Sequence, residues 1–234
     1  MTKISPNSIF YKFYLYYNLY YRNKAYIKRA SYSQDQEDLF INDYFKKIDN
    51  GFYLDIGCYH PIKYSNTALL YNRGWQGINI DMNQTSIDLF NILRKKDKNI
   101  CATISSSNKE VTQYIDHFYS PVNTIDKNFS QVISKRIQIK HFSKKNIFTS
   151  TFTEIVKKYK IQITKIDFLN IDVEGHDYEV LKGIDLLNIK PKIICIEVDN
   201  HEKNLSNEKI KNYLIKLNYK IIKRIGFNVF FEKN

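Results

Sequence analysis

Carboxylates close four apolar runs of this chain: Asp55-Ile56-Gly57, Asp81, Asp172-Val173-Glu174-Gly175, and Glu197-Val198-Asp199-Asn200. Each of these residue types has chemistry open to it. Gly57 follows an apolar run directly and lets the backbone approach a ligand, because no side chain intervenes. Asp55 can accept hydrogen bonds from an ammonium group or an ordered water, and Asp81 is placed to accept both hydroxyls of a ribose. Asp172 is a candidate general base, since a charge that ends an apolar strand needs a partner or a solvent-filled cleft. Glu174 and His176, on the turn that follows, could act in its place or orient it. Their plainer roles are a cap for the next helix and a local bond at its start. A third option pairs Asp172 with Glu197 or Asp199 around Mg²⁺, which prefers oxygen ligands.

Strand-end carboxylates serve dinucleotides as well as smaller nucleosides, and the glycine pattern separates the two. A pyrophosphate requires G-x-G-x-x-G to reach a helix N-terminus. This chain has Gly57-Cys58-Tyr59-His60-Pro61, with the later glycines missing. A cofactor without phosphates, such as S-adenosylmethionine, fits the run better, with Asp55, Gly57, Tyr59 and Asp81 as its candidate contacts.

The elements that must position these residues alternate in type. Strands are predicted at 52–56, 78–80, 100–104, 166–171 and 192–198, with helices over 65–73, 86–95, 153–159, 176–182 and 206–217 between or after them. A short strand-like segment lies at 111–115, and 219–225 with 228–232 reads as an antiparallel hairpin at a sheet edge. Such alternation implies a mostly parallel sheet covered on both faces. Ligands of such sheets bind beyond the carboxyl ends of the strands. Ser33-Gln34-Asp35-Gln36 has the form of a capping box, which starts a helix that buries Leu39, Phe40, Tyr44, Phe45 and Ile48. From 116 to 143 the pattern dissolves apart from a turn or two of helix at 130–136, the mark of a functional loop. Trp75 reads as a packing residue.

The chain of 234 residues, 43% hydrophobic, is large enough to bury a proper core. Its three cysteines cannot all pair, which argues for a reducing, cytoplasmic setting. The net charge of +12 reads first as a whole-chain bias, because Lys far outnumbers Arg while Asn, Ile and Tyr are all abundant. The alternative is a basic surface that meets anionic lipid, glycan or nucleic acid, although no RNA-recognition signature accompanies it. No segment reaches the ~18 apolar residues of a membrane span. Residues 1–30 form a basic, Tyr-rich appendage with the character of a helix. It either rests on a membrane surface or docks on the domain or on a second subunit.

Several segments occur in the order and spacing of the FkbM methyltransferase family. They are Ser31–Asp38, Tyr53-Leu-Asp-Ile-Gly-Cys-Tyr-His-Pro61, Tyr64–Thr67, Gly74-Trp-Gln-Gly-Ile-Asn-Ile-Asp81, Ile166–His176 and Pro191–Glu197. The chain resembles that family from about Ser31 to Val198, most specifically at Asp172-Val-Glu-Gly175. The resemblance implies a three-layer, Rossmann-like class I methyltransferase fold. Its mostly parallel seven-stranded sheet has order 3-2-1-4-5-7-6 and ends in an antiparallel hairpin, here within a domain of residues 31–234. It also implies an S-adenosylmethionine-dependent enzyme that methylates a hydroxyl of a sugar or glycan-related molecule. Where many members carry Gly-Ala-Asn-x-Gly after the first strand, this chain has Gly57-Cys-Tyr-His-Pro61. Gln34, Asn66 and Thr67 belong to matching segments and either line the cleft or serve local structure. N- or RNA methylation, and a non-catalytic adaptor that keeps the fold, are the competing readings. The former lacks the Asn/Asp-Pro-Pro-Tyr-type turn after the fourth strand.

Overall fold

The apolar runs assemble into two sheets. The computed structural model describes residues 8–27, 29–163, 165–198 and 205–234. Its strands are β1 (Phe52–Ile56), β2 (Gln76–Asp81), β3 (Lys98–Cys101), β4 (Thr103–Ile104) and β5 (Glu110–Ile115), then β6 (Ser143–Ser150), β7 (Phe168–Ile171), β8 (Ile193–Glu197), β9 (Tyr219–Ile225) and β10 (Asn228–Lys233). The main sheet has the order β3-β2-β1-β7-β8-β10-β9, with β10 antiparallel to both neighbours and all other pairs parallel. This is the seven-stranded order expected above. Strand order reverses between β1 and β7, and their carboxyl ends meet there side by side, Ile56 opposite Ile171.

Period-two alternation decides what each face of the sheet buries. Leu54, Ile56, Ile78, Ile80, Leu169 and Ile171 pack on one face against the helices Phe152–Lys158, Asp177–Lys182 and Leu205–Lys216. Tyr53 and Phe168 point to the other face, beneath the helices Glu37–Tyr44 and Ala68–Asn72, with Trp75, Ile193, Cys195 and Phe230. Trp75 packs as expected and donates its indole N–H to Ile48 O at 3.1 Å. The helices Gln84–Leu93, Lys127–Arg136 and Leu186–Ile189 complete the domain.

Three local expectations differ from the structure. Ser33 is not the N-cap residue: from outside the helix its hydroxyl donates to Asp38 Oδ1 at 2.7 Å and accepts from Asp38 N at 3.2 Å. Asp38 also accepts from Ser31 Oγ and from the backbone N–H of Tyr32, both at 2.6 Å. The helix therefore starts at Glu37, behind Gln36 in a left-handed conformation, and Tyr44 at its end is exposed while Ile41 is buried. The capping box of this chain is Thr151 with Glu154. The run 100–104 is not one strand either. β2 ends at Asp81, whose carbonyl accepts from Ala102 N at 2.9 Å. Past that point the chain has no neighbour on the main sheet, so Thr103 and Ile104 pair with Thr149 and Ser150 instead. β4, β6 and β5 thus form a second, three-stranded sheet, which takes in 111–115 and frames the stretch left without pattern.

The N-terminal segment is a helix (Ile9–Tyr17) that widens into a π turn (Asn18–Arg22) and ends in a single turn, Lys24–Ile27. Tyr11, Leu15 and Leu19 pack on Leu89 and Tyr119. Tyr11 donates its hydroxyl to Asp88 at 2.6 Å. Asn18 Oδ1 lies 3.0 Å from Nε2 of His60. The other ring nitrogen of His60 accepts from Ile62 N and Lys63 N, so Nε2 carries the proton. Burial lowers the pKa of this imidazole to about 3, which keeps it neutral.

Arg94, at the end of the helix Gln84–Leu93, is completely buried. It donates to Thr67 Oγ1 (2.7 Å), Tyr53 Oη (3.2 Å), Pro61 O (2.6 Å) and Ser65 Oγ (2.8 Å). Thr67 in turn donates its hydroxyl hydrogen bond to Asp55 at 2.7 Å, and Tyr53 donates to Asp97 at 2.5 Å. Two buried carboxylates therefore share one guanidinium. Arg94→Met keeps the volume and removes the cation, and should cost about 3–5 kcal/mol in urea unfolding. Asp97→Asn added to it should recover part of that loss. A loss near zero for Arg94→Met would show that the network does not depend on the charge.

Candidate active site

A cleft of about 270 Å³ opens beyond the carboxyl ends of β1, β2 and β7, at the point where strand order reverses. Of the residues singled out from the sequence, Gly57, Tyr59, Asp81, Asp172, Glu174 and His176 line it, as does Gln34. Asp55, Asn66 and Thr67 do not. Asp55 is the fourth residue of β1, so its side chain points to a sheet face rather than off the strand end. There it accepts from Thr67 Oγ1 at 2.7 Å and from Asn170 Nδ2 at 2.9 Å, and Asn66 bonds Asn170 in turn at 3.0 Å. The ammonium-binding role expected of Asp55 gives way to a supporting one. It fixes the floor of the cleft.

Gly57 is obligatory for a reason the sequence did not disclose. Its φ is +79°, and a Cβ there would lie 1.7 Å from the carbonyl oxygen of Asp172. The close approach is to the neighbouring strand end. Tyr59 also has positive φ, +48°. Its N–H donates to Asp81 Oδ2 at 2.9 Å, while Asn83 N donates to Oδ1 at 2.7 Å. Each oxygen of Asp81 keeps a lone pair beyond these bonds, and Ser86 Oγ, buried in the same cleft, faces the Asp81 carboxyl and helps to hold its charge. Burial pushes the Asp81 carboxyl up to about 6, against the pull of the two backbone N–H groups. The Tyr59 ring stacks on Tyr119 at 5.0 Å and lies over Tyr64 at 6.5 Å, and Tyr119 donates to Tyr59 O.

The turn after β7 is bent tightly, with Glu174 at φ +56° and Gly175 at +94°. Asp177 holds that bend by accepting from Val173 N (3.2 Å) and Gly175 N (3.1 Å). Thr124 donates its hydroxyl to Glu174 O at 2.8 Å, so the stretch without pattern is tied to this turn. Glu174 therefore caps no helix with its side chain. The carbonyl of His176 accepts from Glu179 N and Val180 N at the helix start, but its side chain caps nothing there; its Nε2 meets Ser105 Oγ at 3.0 Å. Burial lowers its pKa and favours the neutral ring.

The turn is acidic and half-buried. Burial, then the charge of Glu197, then those of Asp55, Glu37 and Asp81 raise Asp172 well above the ordinary carboxylate range. Burial and the charges of Asp172 and Glu197 do the same to Glu174, and Asp177 is pushed up to about 7. Glu37 and Asp177 were not singled out from the sequence. Glu37 is buried with its oxygens on Asp35 N and on Asn228 Nδ2. Its place opposite β10 depends on a hairpin almost two hundred residues away, which no local pattern reports. Of the magnesium option, Asp199 lies outside the described residues, and among the described residues no group of three metal-binding side chains comes together.

The Ser120–Asn123 stretch and Ile125 complete the wall opposite Asp172. Asp116 fixes this wall through Ser120 Oγ (2.9 Å), and Asn123 through its bonds to Asp116 N and His117 O. The site can thus hold a small ligand on Asp81 and Tyr59, and place a second molecule between the 120–125 wall and the Asp172 turn.

The Methyltransferase FkbM domain matches residues 55–221, more than half of the chain, from within β1 into β9. Among solved structures, monomeric WbdD aligns at 12% identity and a TM-score of 0.45, over 91% of this chain and 48% of that one. The chain spans about half the length of that structure's chain. No curated protein matches. By the extent of the family match, the chain belongs to the FkbM methyltransferase family.

Proposed function

We propose that this methyltransferase uses S-adenosylmethionine to methylate a hydroxyl group, borne by a sugar or a glycan-related molecule. The observation that carries the reading is a reversal of charge. A chain of net charge +12 lines one cleft with Asp81, Asp172 and Glu174, and backs it with Glu37 and Glu197. Buried carboxyls with raised pKa values suit a cationic ligand, because a positive charge among them relieves their mutual repulsion. When bound, S-adenosylmethionine would supply an electrophilic methyl on a sulfonium, whose carbon–sulfur bond breaks in line with the incoming oxygen so that the neutral thioether leaves.

The residues present fit that group. The free lone pairs of Asp81 suit a ribose diol, and Ser86 Oγ is a further polar partner in the same part of the cleft. Tyr59 holds its strained backbone against Asp81 and presents an aromatic face. A hydroxyl becomes a competent nucleophile when its proton is taken, and Asp172 is the acceptor we assign. Its raised basicity, caused by burial and by Glu197, improves it as a base once ionised. The proton leaves the hydroxyl oxygen for an Asp172 oxygen as that hydroxyl oxygen forms its new bond to carbon. Glu174 and His176 stand beside the same turn as reserve acceptor and orienting group. The aromatic faces of Tyr59 and Tyr64, next to polar walls, suit a polyhydroxylated ring. Three unpaired cysteines, two of them buried, accord with a reducing compartment such as the cytoplasm.

Isothermal titration of the full chain with S-adenosylmethionine tests the cofactor reading, and absence of binding would sink it. Asp81→Asn should weaken affinity roughly 10- to 100-fold, the worth of one or two hydrogen bonds to a charged acceptor. Wild-type affinity should be full above about pH 7 and fall as the pH drops through about 6, because only the ionised Asp81 accepts both hydroxyls. Asp81→Asn should reduce that fall. Asp172→Asn should leave binding within about threefold and lower turnover by 10²–10⁴. Full activity of Asp172→Asn on a sugar acceptor would refute its role as base.

A further inference from the structure

We propose that the outer face of residues 9–27 is a docking surface for an anionic lipid bilayer. The segment is amphipathic in an unusual sense. Its inner side, Tyr11, Leu15, Asn18 and Leu19, is spent on the domain. Its outer side is apolar as well. Phe10 is 72% exposed and Phe13 68%, and Ile9, Tyr17, Tyr20 and Tyr21 are exposed beside them. Contiguous exposed apolar surface of this kind marks an interaction site.

Charge chooses the occupant. The chain has no Asp or Glu before Asp35, while Lys12, Arg22, Lys24 and Arg29 are all exposed. Bulky apolar rings interleaved with cations, and no acid among them, complement a negatively charged surface that is apolar beneath its headgroups. Tyrosines suit the headgroup level, where the ring body is buried and the hydroxyl stays wet. The outer rings are ordered for this: Tyr17 stacks on Tyr21 at 5.3 Å and Tyr16 on Tyr20 at 6.2 Å, with Lys24 over Tyr21. Among the described residues no helix is long and apolar enough to cross a membrane, so the contact is with the surface.

The segment is joined to the catalytic cleft. Tyr14 packs edge-on against Phe118 at 5.2 Å, and Tyr119 next to it stacks on Tyr59 of the cleft. Docking would hold the 116–125 wall of the cleft beside the bilayer. This inference does not rest on the choice of methyl acceptor.

Flotation of the full chain with vesicles tests it directly. The chain should float with phosphatidylcholine vesicles that contain about 30 mole per cent phosphatidylserine, and should not float with phosphatidylcholine alone. Lys12→Gln and Lys24→Gln should each weaken binding about fivefold. Phe10→Ser with Phe13→Ser should abolish it while the melting temperature stays that of the wild type. Equal binding to both vesicles, or undiminished binding of the Phe10→Ser/Phe13→Ser variant, would overturn the proposal. So would a chain that ignores vesicles and forms a dimer abolished by the same two changes, because a second copy then covers the face.

Discussion

Arg94 carries the structure of the cleft although it does not enter its chemistry. Its two terminal nitrogens reach Pro61, Ser65 and Thr67 on the loop after β1, and Tyr53 within β1. The loop has no regular structure between Gly57 and Thr67, so side chains hold it: Arg94 takes Pro61 O with the Ser65 and Thr67 hydroxyls, and His60 Nδ1 accepts from Ile62 N and Lys63 N. A cation with five donors in a rigid fork can serve four partners at once, which a lysine could not. Desolvating it is costly, and the cost is met by two carboxylates, Asp55 through Thr67 and Asp97 through Tyr53. The strained backbone of Tyr59 and the carboxylate of Asp81 stand on that loop. A buried polar network shapes this loop in place of a glycine-rich run.

Much of this order was legible in the sequence because period and punctuation are local. Apolar runs that end in Asp or Glu placed β1, β2, β7 and β8 within a few residues, and the C-terminal hairpin likewise. Strand-end carboxylates implied a rim, and Asp81, Asp172 and Glu174 lie on one. Asp55 shows the limit of that reasoning. It looks like a strand-end residue, but one more residue, Ile56, still pairs in the strand, and alternation turns Asp55 to the sheet face. Ser33 shows another limit: a capping box is a statement about two local partners, and Asp38 outbids both of them with a carboxylate. Arg94, Glu37 and Asp177 were invisible because their partners are brought by folding rather than by spacing. Asp38, in the matching segment Ser31–Asp38, was read only as part of a helix start.

The second sheet supplies one side of the cleft. The main sheet supplies Asp81 and the Asp172 turn, and ends β2 at Asp81. From there the chain must leave, and β4, β6 and β5 carry it out over the open side of the site. The stretch of 116–143 without sequence pattern is thus bounded by paired strands, Ile115 opposite Ser143. Its register is fixed at that base, while its tip is free to take whatever shape the Asp116–Asn123 bonds impose. A segment built in this way shows little periodicity because its order comes from side-chain bonds to its own backbone.

The two halves of the cleft meet at a single turn, and the strain there is informative. Glu174 is a non-glycine residue in the left-handed region, a conformation that costs on the order of 1 kcal/mol or more and persists only where its surroundings enforce it. Two groups enforce it. Asp177 clasps the turn from within through Val173 N and Gly175 N, and Thr124 grips the Glu174 carbonyl from the inserted wall. Gly175 is needed for the same fit, since a Cβ there would lie 2.8 Å from that of Phe129 on the helix Lys127–Arg136. The acidic turn and the wall tied to it are therefore one mechanical unit, although one follows the main sheet and the other lies on the second. A change that reshaped the wall would have to preserve Thr124 and the close approach of Phe129, or it would move the carboxyls of the turn.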